Sequence, residues 1–285
     1  MGKNNKIQES LLRHQDLNMK ELELKRLLEQ TQEVAKSVGA FIRKERQHFD
    51  VKNVEHKGFN DLVSYVDKEA ERQIVERLSE IFPEAGFITE EGTNTTRAEK
   101  YNWVIDPLDG TTNFIHGLPI FSVSIALMDR DEVILGVVYE INLHECFYAI
   151  KGGGAFCNET SIRVSSAPDL GASLIATGFP YYNFELIDKY LATLKSLMQC
   201  THGLRRFGSA AVDLAYVAAG RIEGFFEYNL NSYDVAAGAL IVQEAGGKVT
   251  DFSGGKDYIF GREILATNSK IHEEFFAELN RIWSA

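Results

Sequence analysis

Trp103-Val-Ile-Asp-Pro-Leu-Asp-Gly-Thr-Thr-Asn-Phe114 is the stretch on which the reading of this chain turns. A β-branched, apolar run of the kind that forms a buried strand ends in Asp106; Pro107 then fixes the backbone, and Asp109 and Gly110 follow. Two carboxylates three residues apart at a strand end, with proline between them, aim at one point. Hard cations such as Mg²⁺ take oxygen ligands at ~2.0–2.1 Å, and these carboxylates with the Leu108 carbonyl supply them. Gly110-Thr-Thr-Asn113 is placed to open a short helix whose free N–H groups receive a phosphate. The same residues also fit a plain Asp-rich turn with Thr as the helix cap, and this stretch by itself leaves both readings open.

Upstream, the apolar run of Phe87-Ile-Thr-Glu-Glu-Gly92 ends in Glu90 and Glu91; downstream, Tyr233-Asp234-Val-Ala-Ala-Gly238 starts a helix with an acidic residue. Each has a bland alternative, a solvated loop for Glu90-Glu91 and a helix cap for Asp234. Apolar residues at helical spacing, from Leu24 to Ile42, predict one long amphipathic helix over about 20–48, with residues 1–19 as a disordered arm before it. A second helix is expected over 63–82, with Val66, Ile74, Leu78 and Ile81 on one face and Pro83 past its end.

After Pro83 short β-rich runs alternate with Gly and Asp: 103–105, 121–128, 133–139 and 146–150, the middle pair joined by a hairpin at Asp129-Arg-Asp-Glu132. Gly152-Gly-Gly-Ala-Phe-Cys-Asn158 reads as a loop and 162–164 as a short strand. Tight turns between strands imply a largely antiparallel sheet up to about residue 170. Beyond it strands and helices alternate to a last helix ending near Trp283, which argues for a layered α/β half. No linker separates the halves, so one compact unit around a shared cleft is expected.

With 285 residues, 45% hydrophobic and 25% charged, the chain has material for one large or two moderate globular domains. Its net charge of -11 argues against nucleic-acid binding through bulk charge and requires local devices for any anionic substrate. Cys146, Cys157 and Cys200 form no CxxC pair, so neither a disulfide framework nor a thiolate zinc site is implied, and a cytoplasmic setting is the expectation. There is no signal-peptide pattern, and apolar runs such as 121–128 fall short of the ~20 residues that span a bilayer.

Four motifs in order, Asp-Leu-Val at 61–63, Phe-Ile-Thr-Glu-Glu at 87–91, Asp-Pro-Leu-Asp-Gly-Thr-Thr-Asn-Phe at 106–114, and Asp-Val-Ala-Ala-Gly with Glu-Ala-Gly-Gly at 234–247, resemble the inositol monophosphatase family. That family sits within the lithium-sensitive, Mg²⁺-dependent phosphatases, and the resemblance covers residues 20–285. It implies a five-layered αβαβα sandwich, a homodimer, and a hydrolase acting on inositol 1-phosphate with two to three Mg²⁺ per site. By resemblance, Glu90, Asp106 and the Leu108 carbonyl hold the first ion. Asp106, Asp109 and Asp234 hold the second, and Glu90 helps hold a weaker third. Asp61 and Thr111 match the pair that orients and deprotonates the attacking water. The backbone N–H groups of Gly110 and Thr111 match the phosphate cradle, Asp109 also counts as substrate-binding, and Ala210, within Gly208-Ser-Ala210, and Glu227 match contacts to the alcohol. For Glu227 a strand-end salt bridge is the alternative.

Two departures stand out: Tyr233 replaces the Trp usual before the metal Asp, and Gly178-Phe-Pro-Tyr-Tyr182 lies in a loop the family varies. Fructose-1,6-bisphosphate, histidinol phosphate and adenosine 3′,5′-bisphosphate remain alternative substrates. A role through a partner, docked by Arg205-Arg206 and the N-terminal arm, is the reading from another class.

Overall fold

A computed structural model describes residues 2–49, 54–58, 61–180 and 183–284, with side chains for 22–49, 64–180 and 183–284. The side chain of Asp61 and all of Tyr181 and Tyr182 therefore lie outside the described residues. The chain runs through α1 (Gly2–Arg46), the antiparallel pair β1 (Val54–Gly58) and β2 (Asp61–Ser64), and α2 (Tyr65–Ile81). There follow β3 (Gly86–Thr89), β4 (Tyr101–Asp109), α3 (Thr111–His116), β5 (Ser122–Asp129), β6 (Glu132–Glu140), β7 (Glu145–Ile150), β8 (Ala155–Cys157) and β9 (Thr160–Ile162). The second half comprises β10 (Leu174–Thr177), α4 (Ile187–Cys200), β11 (Gly203–Arg205), α5 (Ala210–Ala218), β12 (Gly224–Tyr228), α6 (Ser232–Glu244), β13 (Lys248–Thr250), β14 (Glu263–Thr267) and α7 (His272–Trp283).

Strands β3 to β9 form a seven-stranded sheet in chain order, antiparallel except for the β3–β4 pair. The other sheet has the order β11-β10-β12-β14-β13, parallel at β10–β11 and β10–β12 and antiparallel beyond. Side chains alternate across a strand, and β4 shows how this stacks the layers. Trp103 and Ile105 pack with Val38 and Ile42 of α1 and Ile74 and Leu78 of α2, whereas Val104 faces the core containing Leu214 of α5 and Ile241 of α6. That middle core continues to Phe225 and Ile264 of the second sheet. On its far face Ile175, Phe226 and Leu265 pack with Tyr190 of α4 and Phe275 of α7. The result is helix, sheet, helix, sheet, helix, the five layers expected.

The structure departs from the sequence reading at three places. Residues 2–19, expected as a disordered arm, continue α1 back to Gly2. Half of these eighteen residues are Lys, Gln, Glu, Leu or Arg, good helix formers, and extending an existing helix escapes the cost of nucleation. The loop expected at 152–158 contains β8, which pairs with β7 through Ala155, Phe156 and Cys157 and carries β9 on its other edge. Three-residue strands are too short to show alternation. The sequence pattern predicts a helix from near Phe184 to Met198, whereas α4 starts at Ile187.

Candidate active site

A cavity of about 260 Å³ opens where the ends of β4, β10 and β12 meet the N-termini of α3, α5 and α6. It is lined by Glu90, Asp106, Leu108, Asp109, Gly110, Thr111, Ala210, Glu227 and Asp234, so every predicted site residue whose side chain is described reaches it.

The deciding stretch bends as its chemistry requires. In a regular strand residues three apart face opposite sides, which would separate Asp106 from Asp109. Here Asp106 pairs with Ser124 and Asp109 with Ser122, so β4 uses one residue more than β5 between those points. This bulge at Pro107-Leu108 turns both carboxylates into the cavity. Proline donates no ladder bond and is at home there. Asp106 Oδ1 accepts the Leu108 N–H at 3.0 Å across the proline. Gly110 follows at φ 97°, where an added Cβ would lie 3.0 Å from the Ile120 carbonyl. Only glycine fits that conformation without strain.

Asp109 is pinned from the opposite half. Its Oδ2 accepts the Ser209 hydroxyl at 2.5 Å and the Ala211 N–H at 2.7 Å, so the first turn of α5 closes on it. The Ala210 N–H also faces Asp109, the group expected to serve the alcohol. Asn113 ties the halves a second time, donating to Ile120 and Phe207 carbonyls, each at 2.7 Å. At α6, Asp234 accepts the Asn231 N–H at 2.6 Å in a capping box. The helix-cap reading of Asp234 is thus correct and compatible with a place in the cavity, because one carboxylate oxygen suffices for the cap.

The acids raise one another's affinity for protons. Asp106 lies well above the ordinary carboxylate range, chiefly through burial and then through Glu90, Asp109 and Asp234. Burial lifts Asp109 to about 6, against the bonds from Ser209, Ala211 and Ala210. Burial and Asp109 lift Asp234 to about 7. Glu227 is likewise well above its usual range, from burial first and Asp234 next, with Arg206 opposing.

Among the described residues no three acidic, histidine or cysteine side chains already close on a single point as a finished coordination shell. The donor chemistry nonetheless fits a hard divalent cation. Glu90, Asp106, Asp109, Asp234 and the Leu108 carbonyl present only oxygen to one cavity, and the mutual repulsion of the carboxylates is what a cation relieves.

Among the described residues the carboxylate bonded to Thr111 is Asp67, which the sequence reading did not single out; the side chain of Asp61, the partner implied by the resemblance, lies outside the described residues. Thr111 Oγ1 lies 2.9 Å from Asp67 Oδ1 and 3.0 Å from the Leu108 carbonyl. Asp67 Oδ2 accepts from Ser64 N and Oγ at 2.8 and 2.6 Å, which makes this carboxylate both the N-terminal capping box of α2 and the partner of Thr111. One turn on, Glu71 is fully buried and accepts from Glu91 N, Thr93 N and Thr93 Oγ1, each at 2.7 Å. It thereby fixes the loop that carries Glu90. A signal existed for both residues. Asp67 and Glu71 continue the buried stripe of Ile74 and Leu78 at i, i+4, i+7 and i+11, and acids on an apolar stripe demand a polar partner.

The Tyr233 departure is tolerated: the ring packs against the middle core, and its carbonyl accepts the Ser124 hydroxyl at 3.3 Å.

The inositol monophosphatase family profile matches residues 23–284. A Nus factor SuhB of Haemophilus influenzae is 42% identical over 249 residues, which is 87% of this chain and 92% of that protein. Among solved structures, the extragenic suppressor protein suhB of Bartonella henselae superposes with a TM-score of 0.83 at 42% identity, covering 87% of this chain and 96% of that one. The inositol monophosphatase of Anabaena (Nostoc) gives 0.82 at 36%, covering 91% and 97%. With the cavity, the five layers and these relatives in agreement, the chain is a member of the inositol monophosphatase family.

Proposed function

We propose that the chain is a Mg²⁺-dependent phosphatase that hydrolyses a phosphate monoester, with inositol 1-phosphate as its preferred class of substrate. The observation that carries this is the Thr111–Asp67 pair at the edge of the Glu90, Asp106, Asp109 and Asp234 cluster in one cavity. Bound by those four acids and the Leu108 carbonyl, Mg²⁺ lowers the pKa of water and neutralises charge on the phosphoryl and leaving oxygens. The rest is the work of the chain. Asp67, oriented by Ser64, accepts the Thr111 hydroxyl's hydrogen bond, which leaves a lone pair of Thr111 Oγ1 to orient the attacking water, and Asp61, by the resemblance, pairs with Thr111 as the group that takes the water's proton. Backbone N–H groups at Gly110 and Thr111 face the phosphoryl oxygens. The water oxygen bonds to phosphorus as the ester P–O bond breaks, and the leaving oxygen takes a proton from solvent water to depart as the alcohol. Glu227 and the start of α5 face that alcohol.

The test is turnover of a panel of phosphate esters, with Mg²⁺ and after EDTA. Release of phosphate that requires Mg²⁺, is fastest on inositol 1-phosphate and is inhibited by Li⁺ far more than by Na⁺ or K⁺ is expected. Full activity after EDTA refutes the cation-dependent reading, and a preference for a bisphosphate moves the substrate elsewhere in the superfamily. The same resemblance supports a cytoplasmic homodimer. No helix among the described residues is long and apolar enough to cross a membrane.

The name of the Haemophilus influenzae relative, a Nus factor, favours a second reading in which this fold acts through a macromolecular partner. Arg205, exposed and bonded only locally to the Leu204 carbonyl, is the side chain to examine. Asp109→Asn separates the two readings, because a partner role survives the loss of turnover and a catalytic one does not.

A further inference from the structure

Asp213 is a buried acid that the reaction above leaves unused. It lies on α5, is 1% exposed, and lines the cavity on the side of Glu227. Its N–H is satisfied by the Ser209 carbonyl at 3.0 Å, yet its carboxyl Oδ1 has no hydrogen-bond partner among the described residues. Helix packing gives no reason for a carboxyl there, since Ala211, Val212, Leu214 and Ala215 around it are apolar and fully buried. A buried polar atom without a partner is costly and is uncommon in a native structure unless something else supplies the bond.

What surrounds it is a second polar wall. Glu227 and Arg206 are its charged neighbours, together with Asp109. The Glu227 carboxylate lies directly against Gly178, where an added Cβ would come within 2.1 Å of both of its oxygens, so the glycine is what admits it. At the mouth the exposed Phe179 ring stands 5.5 Å from the Arg206 guanidinium carbon. Two acids beside one guanidinium, rimmed by an aromatic face, suit a neutral ring bearing several hydroxyls. The same balance disfavours a leaving group with a second phosphate.

We propose that Asp213 is a further specificity-determining residue for polyhydroxylated esters, extending the alcohol side beyond Glu227 by binding a hydroxyl of the departing alcohol. The proposal rests on the phosphatase reading and adds the chemistry of its alcohol side.

The test uses the full-length Mg²⁺-loaded protein with two esters, inositol 1-phosphate and 4-nitrophenyl phosphate, the second without hydroxyls. For Asp213→Ala the ratio of kcat/KM between the polyol ester and the plain ester falls about tenfold, mostly through KM, the size of one lost bond to a charged group. For Asp213→Asn, which keeps one acceptor oxygen, it falls about threefold. The Ala variant melts no lower than the wild type, because a carboxyl without a partner has been removed. An unchanged ratio overturns the proposal, and so does an equal loss on both esters with a lowered Tm, the mark of a structural role. If the wild type hydrolyses neither ester, the phosphatase reading fails separately, and free myo-inositol decides the subsite. An inositol-induced rise in Tm that is lost in Asp213→Ala supports it, and identical rises in both proteins overturn it.

Discussion

On the phosphate side of the cavity, Glu90, Asp106, Asp109 and Thr111 come from the contiguous run β3, β4 and α3, with only Asp234 arriving from α6. On the alcohol side, Gly178, Arg206, Asp213 and Glu227 come from the end of β10, the loop after β11, α5 and β12. The first side is shaped chiefly by backbone devices of one sheet, a bulge, a proline and a left-handed glycine, to which α5 and α2 add side-chain anchors at Asp109 and Thr111. The second is held by packing between elements distant in sequence, such as the seating of Glu227 on Gly178. A site part built locally keeps its geometry when neighbouring elements change, whereas a part assembled from separate elements can be altered one element at a time. That division suits a fixed reaction and an adjustable substrate.

The sharpest way to break this comparison is to remove one acid from each side. Asp106→Asn or Asp109→Asn should lower turnover on every ester by about 10³-fold or more, several kcal/mol of lost charge stabilisation. Glu227→Gln should act selectively, costing about tenfold on inositol 1-phosphate beyond its effect on a plain ester. Steady-state kinetics on both esters measures this, and uniform losses from Glu227→Gln would dissolve the distinction between the two sides. Next in size is the water-orienting pair. Thr111→Ala and Asp67→Asn should each lower kcat by roughly 10²–10⁴-fold, and the double variant should be little worse than either, since the two serve one function. Additive losses would show that Asp67 serves only as the α2 cap.

The same division explains what was legible in the sequence. Asp106, Leu108, Asp109, Gly110 and Thr111 sit in one short motif with its turn chemistry on display, so their convergence could be reasoned before any fold was known. The five layers were legible through the alternation of strands and helices, once the resemblance supplied their stacking. Asp67 was missed because its capping role and its bond to Thr111 fall on one carboxylate, while Asp61, six residues upstream with its side chain outside the described residues, keeps the place the resemblance gives it. Asp213 and Gly178 were illegible in principle: an Asp in an Ala-rich helix and a Gly in a loop mean nothing until folding brings them beside Glu227. The short strand β8 was lost for want of length, and β9 was expected two residues downstream, at 162–164.

Glu71 tests whether the phosphate side is as self-contained as its sequence suggests, since it reaches the Glu90 loop from α2. Glu71→Gln keeps the volume and one acceptor but loses charge-assisted bonds to Glu91 and Thr93. Outer supports of metal ligands typically contribute 10–100-fold, so the Mg²⁺ concentration for half-maximal activity should rise by about that factor while kcat at saturating Mg²⁺ changes little. An unchanged Mg²⁺ requirement would mean that β3 and β4 hold Glu90 unaided.

The smallest effect is the most discriminating, because the acids on both sides are raised for the same first reason, burial, yet only one side is offered a cation. Asp109, at about 6, and Asp234, at about 7, hold protons in the folded state that ordinary carboxylates near ~3.9 in the unfolded chain have already lost. The folded state therefore binds more protons between those values, and this contribution to stability is complete below about pH 4 and lost as pH rises through about 6 to 7. Without Mg²⁺, the Tm should fall between pH 5.5 and 8 by a few degrees, at ~2–4 °C per kcal/mol for a chain of this size. Mg²⁺ competes with the protons on Asp106, Asp109 and Asp234, so it should raise the Tm more at pH 8 than at pH 5.5. The raised acids of the alcohol side, Asp213 and Glu227, face no such cation, and they should leave a residual fall at saturating Mg²⁺. Asp234→Asn should flatten the ion-free slope and blunt the Mg²⁺ effect, whereas Asp213→Ala should flatten only the residual slope. If both variants flatten both slopes alike, the carboxylates titrate as one undivided cluster, and the two sides of the cavity are not electrostatically separate.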